Sequence, residues 1–189
     1  MLRKIVFAGF SICYSCMVFS QSFKQGTGIT MMFQPVNGYR IVGSFGFTYS
    51  PRYIFNEKED SYLSLGIPMT LAFSRLDDSN SVDLKLGIMV DLPLIFNYNY
   101  QPQSDGNGTS RFGYFAGGGI GFHSNHYTAA NNDGTITQQI TGFGPVANAG
   151  VRFSIGKRRV HTWEIRFSYM KILNGNHPDI FGVGCLFNF

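Results

Sequence analysis

Charged residues are scarce. Asp, Glu, Lys and Arg make up 14% of the 189 residues, against about 25% in soluble domains. Too few remain to clothe a water-exposed surface in the usual way, which disfavours a disordered chain, a coiled coil and a basic nucleic-acid binder. Cysteine is limited to Cys13, Cys16 and Cys185. With the first two in an N-terminal leader, the mature chain keeps one, so an internal disulfide and a cysteine-based zinc site are excluded. No apolar run reaches the roughly 20 residues of a transmembrane helix, and beyond residue 25 no stretch has a convincing 3.6-residue period. The formal net charge of +4 includes Arg3 and Lys4, and only Lys157, Arg158 and Arg159 cluster. Such a small, scattered surplus does not single out a polyanionic partner.

What is present begins with an export pattern. Arg3 and Lys4 precede a mostly apolar run from Ile5 to Phe19, and Ser20 is followed by the polar Gln21. This reads as a cleaved signal peptide over 1–20, cut between Ser20 and Gln21, with Val18 and Ser20 at the positions that signal peptidase reads. Acylation of Cys16 is the competing reading, and Cys13 and Tyr14 suit that motif poorly.

The remainder, 21–189, alternates apolar and polar residues between turn signals, the pattern of strands. From 82 to 98, nine apolar residues (Val82 to Tyr98 in steps of two) face one way, while Asp83, Lys85, Gly87, Asp91 and Asn97 are among those facing the other. Similar alternation runs from Leu63 to Phe73 and after Thr141. Strands are expected near 26–34, 39–54, 61–74, 82–99, 111–124, 141–155, 160–172 and 179–189. Pro51, Pro68, Pro93 and Pro145 oppose these assignments, because each removes a ladder donor. Eight is an even number, and several strands exceed the roughly 9–11 residues that a tilted strand needs to cross a bilayer. The expected fold is all-β, an eight-stranded antiparallel up-and-down transmembrane β-barrel.

Alternation alone does not say which face points outward, since a soluble barrel would turn its apolar face inward. Composition decides. The polar face is mainly Gly, Ser, Thr and Asn, as suits a narrow packed lumen, whereas the apolar face of the expected strands carries no Asp, Glu, Lys or Arg away from the strand ends. An Arg or Lys at the bilayer midplane costs about 2–4 kcal/mol. Aromatic residues collect toward strand ends, with Tyr98, Tyr100, Phe112, Tyr114 and Trp163 at one rim and Tyr39, Phe73, Phe122 and Tyr169 at the other, as in interfacial girdles. The last strand carries Phe181, Val183, Cys185, Phe187 and the terminal Phe189 on one face. It resembles the C-terminal signal by which barrel-assembly machinery recognises outer-membrane barrels, with Phe187 and Phe189 at its core.

The segment from Val90 through Asp91, Pro93 and Phe96 to Tyr98, followed by Phe112 to Gly121, resembles the core of Bacteroidota outer-membrane β-barrels of the PorT-like type, themselves small barrels like OmpA and OmpX. Gly142 to Phe153 and Trp163 to Leu173 resemble the last hairpins of that family, and Asp91 stands where the family commonly has Glu. The resemblance implies an eight-stranded barrel in a Gram-negative outer membrane, among lipids and lipopolysaccharide. For this chain it suggests, as one option, an accessory role in protein secretion.

With both chain ends in the periplasm, external connections fall near 35–38, 75–81, 125–140 and 173–178. Only the third is long, and its polar Asn131-Asn132-Asp133 stretch with an Asp-Gly turn signal is the candidate contact for a surface ligand. Strand parity places Lys85, Asp91, Arg152, Glu164 and Arg166 on the lumen face, and counting from strand ends puts Asp91, Glu164 and Arg166 at similar heights. In a barrel just wide enough for side chains to fill it, these charges are expected to neutralise one another as a structural plug. No catalytic set, cofactor or metal site is expected. His123, Ser124 and His126 near the outer rim suggest a lipid-modifying enzyme, yet the spacing and orienting Glu of a lipid deacylase are missing, and His161 and His177 are isolated. The leading expectation is a non-enzymatic barrel with a structural or surface-interaction role.

Overall fold

The structure is a computed structural model that describes residues 23–36, 40–58, 60–76, 87–100, 111–131, 134–155, 161–173 and 179–189. The expected leader and Lys85 lie outside them. All regular structure among the described residues is strand: β1 (Phe23–Lys24), β2 (Gly26–Val36), β3 (Arg40–Tyr49), β4 (Arg52–Phe55), β5 (Ser61–Gly66), β6 (Met69–Leu76), β7 (Gly87–Tyr100), β8 (Phe112–Asn131), β9 (Gly134–Ile155), β10 (His161–Lys171) and β11 (Asp179–Asn188).

These segments make eight staves, because three staves are written in two pieces. β3 and β4 are separated at Pro51, and β5 and β6 at Pro68, where proline cannot donate to the ladder. Register nevertheless runs straight through both breaks, from Tyr49 opposite Met69 to Arg52 opposite Gly66. The Ile67 amide bridges the gap by donating to the Pro51 carbonyl at 3.0 Å. Pro93 and Pro145 stay inside β7 and β9, opposite Gly121 and Ile120.

Every neighbouring pair is antiparallel, and β11 pairs with β2, which closes the barrel. A circuit through paired, outward-facing residues runs Ile88, Phe73, Phe45, Met31, Val183, Phe167, Ala149, Ala116 and back to β7 at Tyr98. It returns ten residues further along the strand on which it began. A stagger of ten over eight strands, at about 3.3 Å per residue and 4.8 Å between strands, sets a tilt of roughly 40°.

Both faces follow the alternation of the sequence. Phe73, Leu71, Phe167 and Phe45 are exposed on the outside, and charged residues of this register stand only toward strand ends among the described residues, as Lys171 and Asp179 do. Rings pair near both rims: Tyr100 with Tyr114 and Phe112 with Phe153 at the rim shared by the chain ends, Phe122 with Phe143 at the other. The lumen is the core. Glycine recurs there because space is short: a methyl at Gly119 would run into the Leu94 carbonyl oxygen. Met32, Val42, Met89, Ile140 and Met170 form an apolar cluster toward the rim opposite the chain ends.

Above the Phe122–Phe143 pair the outer face of the β8–β9 hairpin turns polar, with Ser124 opposite Thr141 and His126 opposite Gln139. The ladder continues to Asn131 opposite Gly134. The expected loop over 125–140 is therefore corrected to two long strands. Thr135, Ile136, Thr137 and Ile140 supply the β-branched side chains that favour extension. Asn131 is the last residue of β8, and Asn132 and Asp133 lie outside the described residues.

Candidate functional site: lumen charges and hairpin

The tilt of the staves determines which lumen side chains meet. Glu164 on β10 is fully buried, and both carboxylate oxygens are occupied. Arg152 Nε donates to Oε2 at 2.7 Å, Arg52 Nη1 to the same oxygen at 3.0 Å, and Arg166 Nε to Oε1 at 2.8 Å. Arg152 Nη1 also reaches Tyr62 Oη at 2.8 Å and Asn99 Oδ1 at 2.6 Å, and Arg166 Nη2 donates to Ser50 Oγ at 3.3 Å. The Phe115 ring lies beneath two of these cations, with Arg152 Cζ 4.3 Å and Arg166 Cζ 5.8 Å from its centroid.

Three guanidinium groups thus surround one carboxylate, which departs from the expected neutral network. The surplus is spread over neutral acceptors and an aromatic face, each of which lowers the cost of a buried cation. Arg52 Nε alone among these arginine nitrogens is buried without a hydrogen-bond partner. Asn188 Nδ2 also donates to Oε2, at 3.4 Å, so four donors occupy the roughly four acceptor sites of the carboxylate and leave none for acid/base work at this point.

Asp91 does not join Glu164, a correction to the expected five-residue network. Strand ends sit at different heights around a staggered barrel, so counting from them misplaces residues. Asp91 lies further from the chain-end rim, its Oδ1 3.2 Å from His123 Nδ1. His123 Nε2 is 3.0 Å from Gln34 Nε2, Gln34 Oε1 accepts from Asn125 Nδ2 at 2.8 Å, and Ser74 Oγ donates to Asn125 Oδ1 at 2.7 Å. Between the two groups a cavity of about 30 Å³ is lined by Asp91, Arg166 and the hydroxyl residues Thr30, Thr48 and Thr70. That is room for about one water. His123 therefore faces inward while Ser124, its neighbour, faces outward and bonds Thr141 Oγ1 at 2.9 Å. The two cannot form a hydroxyl–imidazole pair across the wall.

Neither a comparison with protein-family models nor one with curated proteins gives a match. Solved structures do match. The attachment invasion locus protein Ail of Yersinia pestis, determined in complex with the heparin analogue sucrose octasulfate, aligns with TM-score 0.55 and 15% identity, covering 88% of this chain and 97% of that one. Neisserial surface protein A aligns with TM-score 0.57 and 10% identity, covering 88% and 96%. OprG of Pseudomonas aeruginosa aligns with TM-score 0.50 and 10% identity, covering 88% and 95%. The fold is that of the small outer-membrane β-barrels.

Of the residues singled out in the sequence, Arg152, Glu164 and Arg166 meet, Asp91 sits apart, and Lys85 lies outside the described residues. Phe187 and Phe189 stand at the chain-end rim, Phe187 being 5.5 Å from the Trp163 ring. Arg52, His123, Gln34 and Asn125 were not anticipated as lumen partners. For Arg52 a signal existed: it shares parity with Ser44, Thr48 and Ser50.

Proposed function

We propose that this chain is an integral outer-membrane β-barrel, exported by a cleaved signal peptide and folded by the barrel-assembly machinery through Phe187 and Phe189. Its role is non-enzymatic: a structural anchor that presents the β8–β9 hairpin for surface interaction. One observation carries the reading. The outer face is uncharged between the rims, and from His123 to Asn131 the β8–β9 ladder extends for nine further residue pairs beyond the Phe122–Phe143 pair, roughly 30 Å along the strands. A wall of this kind suits hydrocarbon, and a ladder continuing past it suits a partner outside. The lumen cluster around Glu164 acts as a plug, since its charges are bound to one another and the space beside them holds about one water. The resemblance of 90–98 and 112–121 to PorT-like barrels supports, by itself, the alternative of an accessory factor in secretion.

The test is an epitope inserted between Asn132 and Asp133. The tagged protein is expected in the outer-membrane fraction, with heat-modifiable gel mobility and antibody labelling on intact cells. Labelling only after the cells are permeabilised would reverse the topology, and recovery as a detergent-free soluble monomer would end the proposal.

A further inference from the structure

Among the described residues the outer wall is studded with large side chains, and small ones gather on neighbouring strands in one area. Where β8, β9 and β10 meet, the outward residues are Ala116 opposite Ala149 and Gly118 opposite Ala147. Phe167 stands across from Ala149 and Tyr169 across from Ala147. The Tyr169 ring leans toward Phe181, with centroids 5.3 Å apart. That tilt leaves a groove of about 460 Å³ floored by Ala147 and Ala149 and walled by Phe167, Tyr169, Phe181 and Val183, within the roughly 300–1,000 Å³ of small-molecule sites.

At the upper end of this groove β10 finishes in Lys171, exposed on the outer face. Among the described residues Lys171 has no ion-pair partner. Its cross-strand neighbour is Asp179, which is not within ion-pair distance of it. An apolar groove that opens beneath an exposed ammonium without an ion-pair partner among the described residues, at the level of the aromatic girdle, matches a molecule with a fatty chain below and an anionic group above. Cations on a membrane protein near the headgroups are attracted to such lipids, and a chain laid on alanines meets more wall atoms than one laid on the tips of Phe and Leu.

We propose that this groove is a binding site for a phosphorylated, multiply acylated lipid of the leaflet on the hairpin side, with one acyl chain over Ala147 and Ala149 and a phosphate at Lys171. The site rests on the membrane-barrel reading and deepens it: one lipid is retained here rather than exchanged with the rest of the shell. Native mass spectrometry of the detergent-folded barrel with added bis-phosphorylated lipid A tests it. One retained lipid per barrel is expected. Lys171→Gln lowers retention about five-fold, the value of one cation at a membrane surface, and dephosphorylated lipid A binds the unaltered barrel as weakly. Ala149→Phe fills the groove and abolishes retention, while Asp179→Asn, which removes the neighbouring negative charge, raises it. A heat-modifiable barrel that retains the lipid equally in all four proteins, or regardless of phosphate, overturns the site alone. A chain with no heat-modifiable band in any variant overturns the membrane-barrel reading, and the site with it.

Discussion

Replacing Glu164 by Gln keeps the volume and removes the one negative charge among Arg52, Arg152 and Arg166. All four side chains are buried. Breaking a buried ion pair by removing one partner costs about 3–5 kcal/mol, because the remaining charge stays buried and uncompensated. Here three cations lose their counter-charge together, so the upper part of that range is expected. Arg52→Gln acts in the opposite sense on the balance. It removes a cation from a cluster that has too many, takes away one bond to Oε2 and eliminates a guanidinium whose Nε is unpartnered. Its cost is about 1–2 kcal/mol, that of one charge-assisted hydrogen bond. A gap of at least about 2 kcal/mol between the variants is more than tenfold in the folding equilibrium. Urea unfolding of barrels folded into phospholipid vesicles gives both numbers. Trp163, the one tryptophan, sits on the outer face directly before Glu164, and its fluorescence reports the transition. If Glu164→Gln proves no less stable than Arg52→Gln, the cluster is not held by its carboxylate and the reasoning fails.

Other outcomes follow from the same geometry. Phe167→Arg, at mid-wall, is expected to destabilise the vesicle-folded barrel by about 2–4 kcal/mol, whereas His126→Arg on the projecting hairpin is expected to change stability by less than about 0.5 kcal/mol; equal costs in urea titrations would contradict the position of the wall. His123→Leu strands Asp91 and Gln34 and costs about 2–4 kcal/mol in the same titration, and adding Asp91→Leu recovers part of it because a buried polar group is no longer left alone. Gly150→Ala pushes a methyl to 2.6 Å from the Phe115 ring and lowers stability by about 1–3 kcal/mol; refolding yield and urea midpoint check it. Planar-bilayer recordings of the unaltered barrel are expected to show no conductance above leak, and sustained openings would contradict the plug.

The staves were legible because their outward side is so regular: Leu63 to Phe73 and Ile88 to Tyr98 alternate without a fault, and a strand paired on both edges needs little more. Pro51 and Pro68 marked real interruptions, which the ladder spans without losing register. The hairpin was misread because Asn131, Asn132 and Asp133 look like a wide loop, while the Thr and Ile pattern that follows extends β9 almost to them. The lumen was harder. Parity gives the side of the wall but not the height, and height depends on a ten-residue stagger that arises only when β11 closes on β2. This is why Asp91 was grouped with Glu164 and turned out to face His123. On β8 the inward position of His123 was hidden by Gly117, Gly119 and Gly121, which carry no side chain to show alternation.

The central claim is that the greasy face of the wall meets hydrocarbon. Spin labels placed one at a time from Ile88 to Tyr98 in the vesicle-embedded barrel, read for collisions with dissolved oxygen and with a water-soluble nickel chelate, test it most directly. Labels at 88, 92, 94, 96 and 98 are expected to show high oxygen and low nickel accessibility, with oxygen falling at 89, 91, 93, 95 and 97. High nickel accessibility at the even positions, or no two-residue alternation, would contradict it.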